Sequence, residues 1–345
     1  MSKQPTVTFA LFAYNQEEYI REAVEAALSQ TYSPLEIMLS DDCSSDRTFE
    51  IMQAMANEYR GPHTVVLNRN QRNLGIGNHA NYIFKITRSD FIVMAAGDDI
   101  SLPERTSLLM EAVAVNFGAM GGGSAFIAID KKGCETARNT VQHGARCLED
   151  DDDLRVITGR QITGATAIWS RKLYNFFGPI REGVNYEDVI FTIRALTLGK
   201  VFLLADKPLV KYRLVGVTSK THSLNVLRNE RQTISLFRNL SYAAESLECE
   251  LQLANTEPKR TQRILGFLKI DKLALKVCSN WWGMSIAERR NYCSSEGYRN
   301  LPPYHQNWLQ ARLGRKWSFC YNMALREALR SLKVQFNKVR RLWFN

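Results

Sequence analysis

The sequence contains no long hydrophobic run and no paired cysteine motif. No stretch approaches the roughly 20 consecutive apolar residues that a membrane-spanning helix requires, so we expect no transmembrane segment. The first 15 residues lack a small-residue cleavage site, and we interpret them as leading into a first strand and not as a signal peptide. The seven cysteines are scattered without a C-x-x-C pair. This pattern argues against a disulfide framework or a zinc site and favours reduced thiols in a cytoplasmic protein.

Acidic residues are scarce in the last third of the chain. Residues 1–220 contain 24 Lys and Arg against 26 Asp and Glu, whereas residues 221–345 contain 21 against 9. The net charge of +10 therefore originates in the second part. We predict two regions: a near-neutral domain over 1–220 and a basic region over 221–345, whose apolar spacing indicates a helical extension.

The end of the basic region is almost free of acids. Residues 312–345 hold nine Lys and Arg and one acid, mixed with aromatic side chains. Such a pattern is typical of an amphipathic helix on an anionic membrane, which predicts peripheral contact of 310–345 with the inner face of the membrane. A dimerisation face that produces a homo-oligomer and packing onto the first domain are the alternatives. No nucleic-acid-binding module is recognisable, so we expect no nucleic-acid partner.

The first region alternates short β-rich runs with helical patterns. Strands are predicted at 6–14, 35–42, 63–70 and 90–99, with a helix in each interval. This alternation indicates βαβ units and an α/β fold with a mostly parallel sheet flanked by helices. Polar sequences, AYN, SDDCSSD and GDD, follow three of these strands. Because ligands bind beyond the carboxyl ends of parallel strands, we predict a binding crevice there.

Two adjacent aspartates, Asp98 and Asp99, close the fourth of these strands. Like charges side by side are costly unless a cation or hydrogen-bond donors offset them. The pair can bind a hard cation such as Mg²⁺ or Mn²⁺, accept hydrogen bonds from a ligand, or cap the helix that follows. The pair alone does not decide between these roles.

Five segments in order resemble the motifs of family 2 glycosyltransferases, which have a GT-A type fold. The segments are FAYNQEEYI with its continuation to SDDCSSDRT, NLGIGNHAN, AAGDDISLPERT, NYEDVIFTI and PLVKYRLVGVTS. The resemblance covers about residues 5–220. It implies an inverting, metal-dependent transferase that moves a sugar from a nucleotide-diphosphate donor, with a UDP-sugar favoured. The acceptor would be a hydroxyl of a glycan or a lipid-linked molecule, in surface polysaccharide biosynthesis.

The resemblance also implies roles for individual residues. Asp98 and Asp99 would hold Mg²⁺ or Mn²⁺, with Asp99 as the direct ligand. Asp188, with Glu187 beside it, would be the catalytic base for the acceptor hydroxyl. Because Val215 stands where relatives often carry a histidine, we hypothesise that Arg213 helps to neutralise the diphosphate, with Tyr212 and His222 as the alternatives. The residues expected to bind the nucleotide are Ala13, Tyr14, Asn15, Glu17, Asp41, Asp42, Asn73, Gly75 and Asp98.

Structural roles are the alternatives for several of these residues. The acids at 41–42, 98–99 and 187–188 can cap the helices that follow, and the loop at 73–75 can be an ordinary glycine turn. Trp169 and Tyr186 are either platforms on which a sugar stacks or aromatic residues of the core.

Two positions depart from the family pattern. Ala96 stands where many relatives carry an acid, and Val215 stands where relatives often carry a histidine. One carboxylate ligand is then missing, and water and phosphate would complete the metal's coordination. A non-catalytic relative that binds sugar nucleotides or acts as a scaffold is therefore the alternative function. A nucleotidyltransferase is disfavoured, because an acidic segment, AYNQEEYI, stands where a glycine-rich basic loop would be needed.

Overall fold

The structure is a computed structural model that describes residues 5–136, 145–148, 162–184, 186–214, 230–254 and parts of 256–299. The chain divides into two compact units. The first contains Met1–His222 and Tyr242–Leu268, and the second contains Ser223–Ser241 and Lys269–Asn345. Residues 242–268, which belong to the predicted second region, are therefore part of the first unit.

The first unit is built on one mixed sheet. Its strands run in the order β3-β2-β1-β4-β8-β6-β9-β5, and β7 pairs with β9. The strands are β1 (Val7–Ala13), β2 (Glu36–Asp41), β3 (Thr64–Arg69), β4 (Phe91–Ala96), β5 (Ile100–Ser101), β6 (Ala119–Ile129), β7 (Ala145–Leu148), β8 (Ala167–Ser170) and β9 (Lys200–Arg213). Strand β1 pairs in parallel with β2 and with β4, and β2 pairs in parallel with β3, as predicted. The sheet as a whole is mixed, because β8 is antiparallel to both β4 and β6.

Helices connect the parallel strands, as the sequence predicted. Those between β1 and β4 are α1 (Ile20–Leu28), α2 (Thr48–Glu58) and α3 (Ile76–Ile86). The other helices of the described residues are α4 (Arg105–Val115), α5 (Lys172–Phe177), α6 (Glu187–Leu198), α7 (Glu230–Leu253), α8 (Ile286–Ser294) and α9 (Glu296–Arg299). The helical character of the C-terminal extension is visible in α7, α8 and α9. Within the described residues, every helix is too short or too polar to cross a membrane. The segment 310–345, for which membrane contact is predicted, lies outside the described residues.

The two faces of the sheet are each covered by an apolar cluster. Along β1, Phe9 and Leu11 point into one cluster, and Ala10 and Phe12 point into the other. This alternation follows from the two-residue period of a strand, and burial on both faces explains why the parallel strands are almost continuously apolar. The carboxyl ends of these strands are consequently the part of the sheet that is left for polar residues.

Trp169 belongs to the core. Its side chain is fully buried, and its ring stacks on that of Phe191 with centroids 5.9 Å apart. The sugar-stacking role for Trp169 is therefore wrong. Tyr186 is only partly buried and directly precedes α6, so its stacking role stays a prediction.

Candidate active site

The polar segments that follow β1, β2 and β4 lie side by side. β1 is the central strand of the three. Beyond the ends of the strands, the N–H of Asp42 donates to the carbonyl of Ala13 at 2.8 Å, and the N–H of Gly97 donates to the carbonyl of Phe12 at 2.9 Å. These bonds bring the three predicted segments to one edge of the sheet. Ala13 itself is buried, whereas the ring of Tyr14 is 46% exposed at this edge.

The segment after β1 is locked to the turn after β2. Asn15 has a positive φ of 51°. Its N–H donates to Ser44 Oγ at 2.9 Å, and its Oδ1 accepts from the N–H of Ser45 at 2.9 Å. A carboxylate oxygen of Glu17 accepts from the N–H of Arg47 at 3.0 Å. The two segments therefore satisfy each other's backbone groups and form one rigid rim.

The buried carboxylate of Asp41 stabilises the turn after β2, which forms part of this rim. Its side chain is fully buried and accepts from both the N–H, at 2.9 Å, and the hydroxyl of Ser44. Arg69 Nε lies 3.5 Å from the same carboxylate. All of these contacts stay within the protein, which suits a supporting role.

Asp42 holds the loop that precedes α3. Its carboxylate accepts from Asn70 Nδ2 at 2.7 Å and from the N–H groups of Leu74 and Gly75 at 2.9 Å each. Asn73 Oδ1 also accepts from the N–H of Gly75, at 3.0 Å. A carboxylate offers about four lone-pair positions, so these three bonds leave capacity for one more donor.

Asp99 combines deep burial with an unused oxygen. Its Oδ1 accepts from the N–H of Arg213 at 2.8 Å, and its buried Oδ2 has no hydrogen-bond partner within the described part of the chain. Burial raises the pKa of the Asp99 carboxyl well above its usual value, and the charge of Asp98 raises it further. Burial also raises the pKa of Asp98. Both carboxyl groups therefore need a positive charge to be ionised at low cost.

The side chain of Arg213 is turned toward the protein. Its guanidinium lies over the ring of Tyr19 at 4.6 Å, and Nε donates to the carbonyl of Asp98 at 2.9 Å. Nη1 donates to two backbone carbonyls after β6, and Nη2 donates to Glu22 at 2.5 Å. Arg213 thus fixes the backbone of the aspartate pair, and its contact with a diphosphate stays a prediction. Val215 lies outside the described residues.

Glu187 and Asp188 occupy the first turn of α6. Burial raises the pKa of Glu187 to about 8, with the charge of Asp188 as a second cause. Glu187 is therefore neutral at pH 7. Asp188 is only partly buried, and its Oδ1 accepts from the N–H of Val189 at 2.8 Å. Of the two acids, Asp188 is the better candidate for taking up a proton.

The turn Gly164–Thr166 contacts both β4 and the second acid pair. β8 follows this turn and pairs with β4 so that Ile168 lies opposite Val93. The turn itself also packs against β4, the strand that Asp98 and Asp99 follow. Glu187 meets the same turn, because a Cβ on Gly164 would lie 2.7 Å from Glu187 Oε1. The turn therefore contacts both the strand that precedes Asp98 and Asp99 and the first residue of the second acid pair.

Sequence comparison identifies the family. Residues 8–178 match the family described as Glycosyl transferase family 2. This part of the chain belongs to family 2 of the glycosyltransferases.

Curated relatives match this chain over only part of their length. Chondroitin synthase of Escherichia coli is 33% identical over 111 residues, which cover 32% of this chain and 16% of the synthase. EpsE of Bacillus subtilis is 28% identical over 138 residues, which cover 40% of this chain and 49% of EpsE. The chain thus matches less than half the length of either relative.

Solved structures of glycosyltransferases share the fold. Residues 1–349 of TarS from S. aureus, in complex with UDP-GlcNAc, align with a TM-score of 0.61 and 15% identity over 92% of this chain and 89% of that one. The mannosyltransferase PcManGT of Pyrobaculum calidifontis, in complex with GDP-Man and Mn²⁺, aligns with a TM-score of 0.55 and 15% identity. That alignment covers 90% of this chain and 84% of the mannosyltransferase. The predicted GT-A type fold is confirmed.

The aspartate pair of this glycosyltransferase domain fits a divalent cation. Within the described residues, no group of three or more His, Cys, Asp and Glu side chains could hold a metal. Mg²⁺, however, is usually bound by one or two carboxylates and completed by water and substrate phosphates. Asp98 and Asp99 supply two adjacent carboxylates, and the buried Oδ2 of Asp99 has no hydrogen-bond partner among the residues that the structure describes. The donor set therefore suits Mg²⁺ or Mn²⁺ together with a diphosphate.

Arg105 is a residue of the site that sequence analysis missed. It is fully buried, its Nη2 donates to the carbonyl of Met94 at 2.7 Å, and its Nη1 donates to Ser101 Oγ at 2.8 Å. Its positive charge favours the ionised form of Asp99 and so partly offsets the rise in the pKa of that carboxyl that burial causes. The sequence did contain one signal for the burial of Arg105. This residue lies four positions before the apolar Leu109, so the two share the buried face of α4.

Proposed function

We propose that the protein is an inverting, metal-dependent glycosyltransferase. It transfers a sugar from a nucleotide-diphosphate donor, with UDP-sugars as the first choice, to a hydroxyl of a glycan or lipid-linked acceptor. The observation that carries this proposal is that the turn Gly164–Thr166 packs against β4, which the pair Asp98–Asp99 follows, and also contacts Glu187 of the pair Glu187–Asp188. One pair suits a cation and a diphosphate, and the other suits proton removal.

The nucleotide is assigned to the rim formed by the segments after β1 and β2. The remaining acceptor position on Asp42 suits a ring N–H of the base, and the half-exposed ring of Tyr14 offers a stacking surface. TarS in complex with UDP-GlcNAc supports a nucleotide-sugar donor for this fold. The residues that would shape the pocket around these two are Ala13, Asn15, Glu17, Asp41, Asn73, Gly75 and Asp98.

Asp98 and Asp99 would hold the Mg²⁺ or Mn²⁺ ion. When bound, the ion supplies positive charge that stabilises the negative charge developing on the leaving diphosphate. Arg213 holds the two aspartates through its hydrogen bonds to Asp99 Oδ1 and to the carbonyl of Asp98, and the charge of Arg105 favours the ionised form of Asp99. Arg213 is also proposed to assist the diphosphate through the one guanidinium N–H that its protein contacts leave over. The complex of PcManGT with GDP-Man and Mn²⁺ supports this choice of metal.

Asp188 is proposed to act as the general base. An acceptor hydroxyl has a pKa far above neutral, so its proton must be removed as its oxygen attacks the anomeric carbon. Attack from the side opposite the diphosphate inverts that carbon. Glu187 stays neutral because of its burial, so it adds no second negative charge beside the base.

The cellular setting is inferred from chemistry and relatives. We propose a role in surface polysaccharide biosynthesis on the cytoplasmic side of the membrane, with contact through residues 310–345. Relatives named for polysaccharide synthesis, such as the chondroitin synthase of Escherichia coli, support this role. The cysteines whose side chains are described, Cys43, Cys134, Cys249 and Cys293, are free thiols, as expected in the cytoplasm.

A screen of UDP-, GDP- and dTDP-sugars for Mn²⁺-dependent hydrolysis and for thermal shift tests the proposal. We expect one donor class to bind and to be hydrolysed slowly in the absence of an acceptor. Donor binding without turnover under any metal or acceptor condition would instead support the non-catalytic relative. For Arg213, R213A should weaken UDP binding about 10-fold while uridine binding stays unchanged; equal UDP binding would remove its diphosphate role.

A further inference from the structure

Asn81, on α3, holds the loop that leads into α6. Its Nδ2 donates to the carbonyl of Ile180 at 2.8 Å, and its Oδ1 accepts from the N–H of Ile180 at 2.7 Å. One side-chain amide thus satisfies both backbone groups of a residue that is only 2% exposed. Buried backbone groups must be paired, so the position of Ile180 depends on Asn81.

Gly77 brings α3 against the same loop one helical turn earlier. A Cβ on Gly77 would lie 2.2 Å from the carbonyl oxygen of Val184, so this approach requires glycine. Val184 is buried and precedes Glu187 by three residues. Because residues four apart share a helix face, Gly77 and Asn81 form one contact surface for the loop 178–184.

The N-terminus of α3 is anchored at the nucleotide rim. The N–H groups of Leu74 and Gly75, which directly precede the helix, both donate to Asp42. A carboxylate at this position also interacts favourably with the helix dipole. A single 11-residue helix therefore joins the carboxylate assigned to the base with the loop that leads to the second acid pair.

We propose that Asn81 is a positioning residue that, through Ile180, sets the placement of Glu187 and Asp188, and that α3 links this placement to Asp42. The catalytic part of this inference rests on the proposed function. Asn81 touches no reacting atom, so its loss should misplace the general base and leave the nucleotide rim intact. Misplacement of a catalytic group by about 1 Å can lower a rate by up to about 100-fold.

The test compares N81A with N78A in the full chain. Asn78 lies on the same helix, and its Nδ2 reaches only the carbonyl of Leu74 in the preceding turn, at 3.3 Å. N81A should speed backbone hydrogen exchange over 178–192 and lower kcat by about 10-fold or more, with the donor KM within about two-fold of wild type. N78A should match wild type in all three quantities. Exchange over 178–192 that is the same in N81A and N78A would overturn the inference.

Two further variants guard against a simple folding defect. N81D keeps an acceptor for the N–H of Ile180 but loses the donor to its carbonyl, so its exchange over 178–192 should fall between wild type and N81A. D42N weakens the anchor at the N-terminus of α3 and should speed exchange over both 70–86 and 178–192. Unchanged exchange over 178–192 in D42N would overturn the α3 link.

Failure of this inference can be told apart from failure of the proposed function. Hydrogen exchange requires no turnover, so it judges the placement of the loop even in a protein that transfers no sugar. An inactive wild type with fast exchange in N81A would count against the proposed function alone. An active wild type whose kcat is unchanged in N81A would count against the positioning role alone.

Discussion

The two acid pairs of the site handle the same electrostatic problem in different ways. Asp98 and Asp99 lie beside two buried arginines, Arg105 and Arg213, and one buried oxygen of Asp99 remains without a partner in the described structure. Glu187 instead avoids a second charge by remaining protonated, since burial raises its pKa to about 8. A pair that keeps one buried carboxylate oxygen without a partner in the described structure is suited to hold a metal, whereas a pair with one neutral member is suited to proton transfer. The predictions below separate these two roles.

The largest effect is expected at Asp188. D188N removes the proposed base without changing the shape of the side chain, so kcat should fall by about 10²- to 10⁴-fold. Donor affinity and Mn²⁺ affinity should stay close to wild type, because the nucleotide rim and the aspartate pair are untouched. Single-turnover kinetics and calorimetric titration of the donor measure these quantities. A D188N enzyme with normal turnover would exclude Asp188 as the base.

D99N should show the opposite pattern. Replacing one carboxylate ligand by an amide should weaken Mn²⁺ binding about 10- to 100-fold, by analogy with other changes at metal sites. Turnover should decline with it and recover in part at high Mn²⁺ concentration. Calorimetry in the presence of UDP measures the metal affinity. If D99N and D188N lowered Mn²⁺ affinity equally, the division of labour between the pairs would be wrong.

The parallel half of the fold and the aspartate pairs could be predicted from sequence because their signals are local. Two-residue alternation in the strands and helical spacing between them define β1 to β4, and polar residues stand directly after the strand ends. The segment around β6 gave no such signal. Gly121 and Gly122 have no side chains to alternate, and each is glycine because a Cβ would lie 2.3 Å from Trp169 and 2.4 Å from the carbonyl of Phe202, respectively.

The other features that sequence analysis missed depend on contacts between segments that are far apart in the sequence. Asn81 bonds to Ile180, 99 positions away, and nothing in a single sequence marks that pairing. The apolar pattern of α7 predicted a helix but not the surface it covers, and Ala243 and Leu247 in fact belong to the core cluster that contains Trp169. Local patterns thus locate candidate chemistry, whereas tertiary packing decides which groups support it.

The protonated state of Glu187 predicts a pH dependence of stability. Its folded-state pKa, about 8, lies above its usual value of 4.5, so the folded protein keeps a proton that the unfolded chain releases. This contribution is fully present below pH 4.5 and is lost as the pH rises toward 8. The expected slope is up to about 1.4 kcal/mol per pH unit.

E187Q has no group to titrate at this position and should therefore lose that slope. Urea unfolding at intervals between pH 5 and pH 8 gives the free energy of unfolding for both proteins. The difference between wild type and E187Q should widen steadily across this range. Parallel curves for the two proteins would show that Glu187 does not carry the proton.

The smallest effect is expected for a substitution of Gly164, in the turn that contacts Glu187. A Cβ on Gly164 would lie 2.7 Å from Glu187 Oε1, so G164A should destabilise the protein by about 1–3 kcal/mol through overpacking. Gly266 is the matched control, because a Cβ there meets nothing within 4 Å and its backbone is helical. G266A should stabilise the protein by about 0.5–1 kcal/mol.

If the first change acts through Glu187, G164A should also lower kcat, whereas G266A should not. Equal unfolding free energies for the two variants would mean that Gly164 does not contact the acid pair.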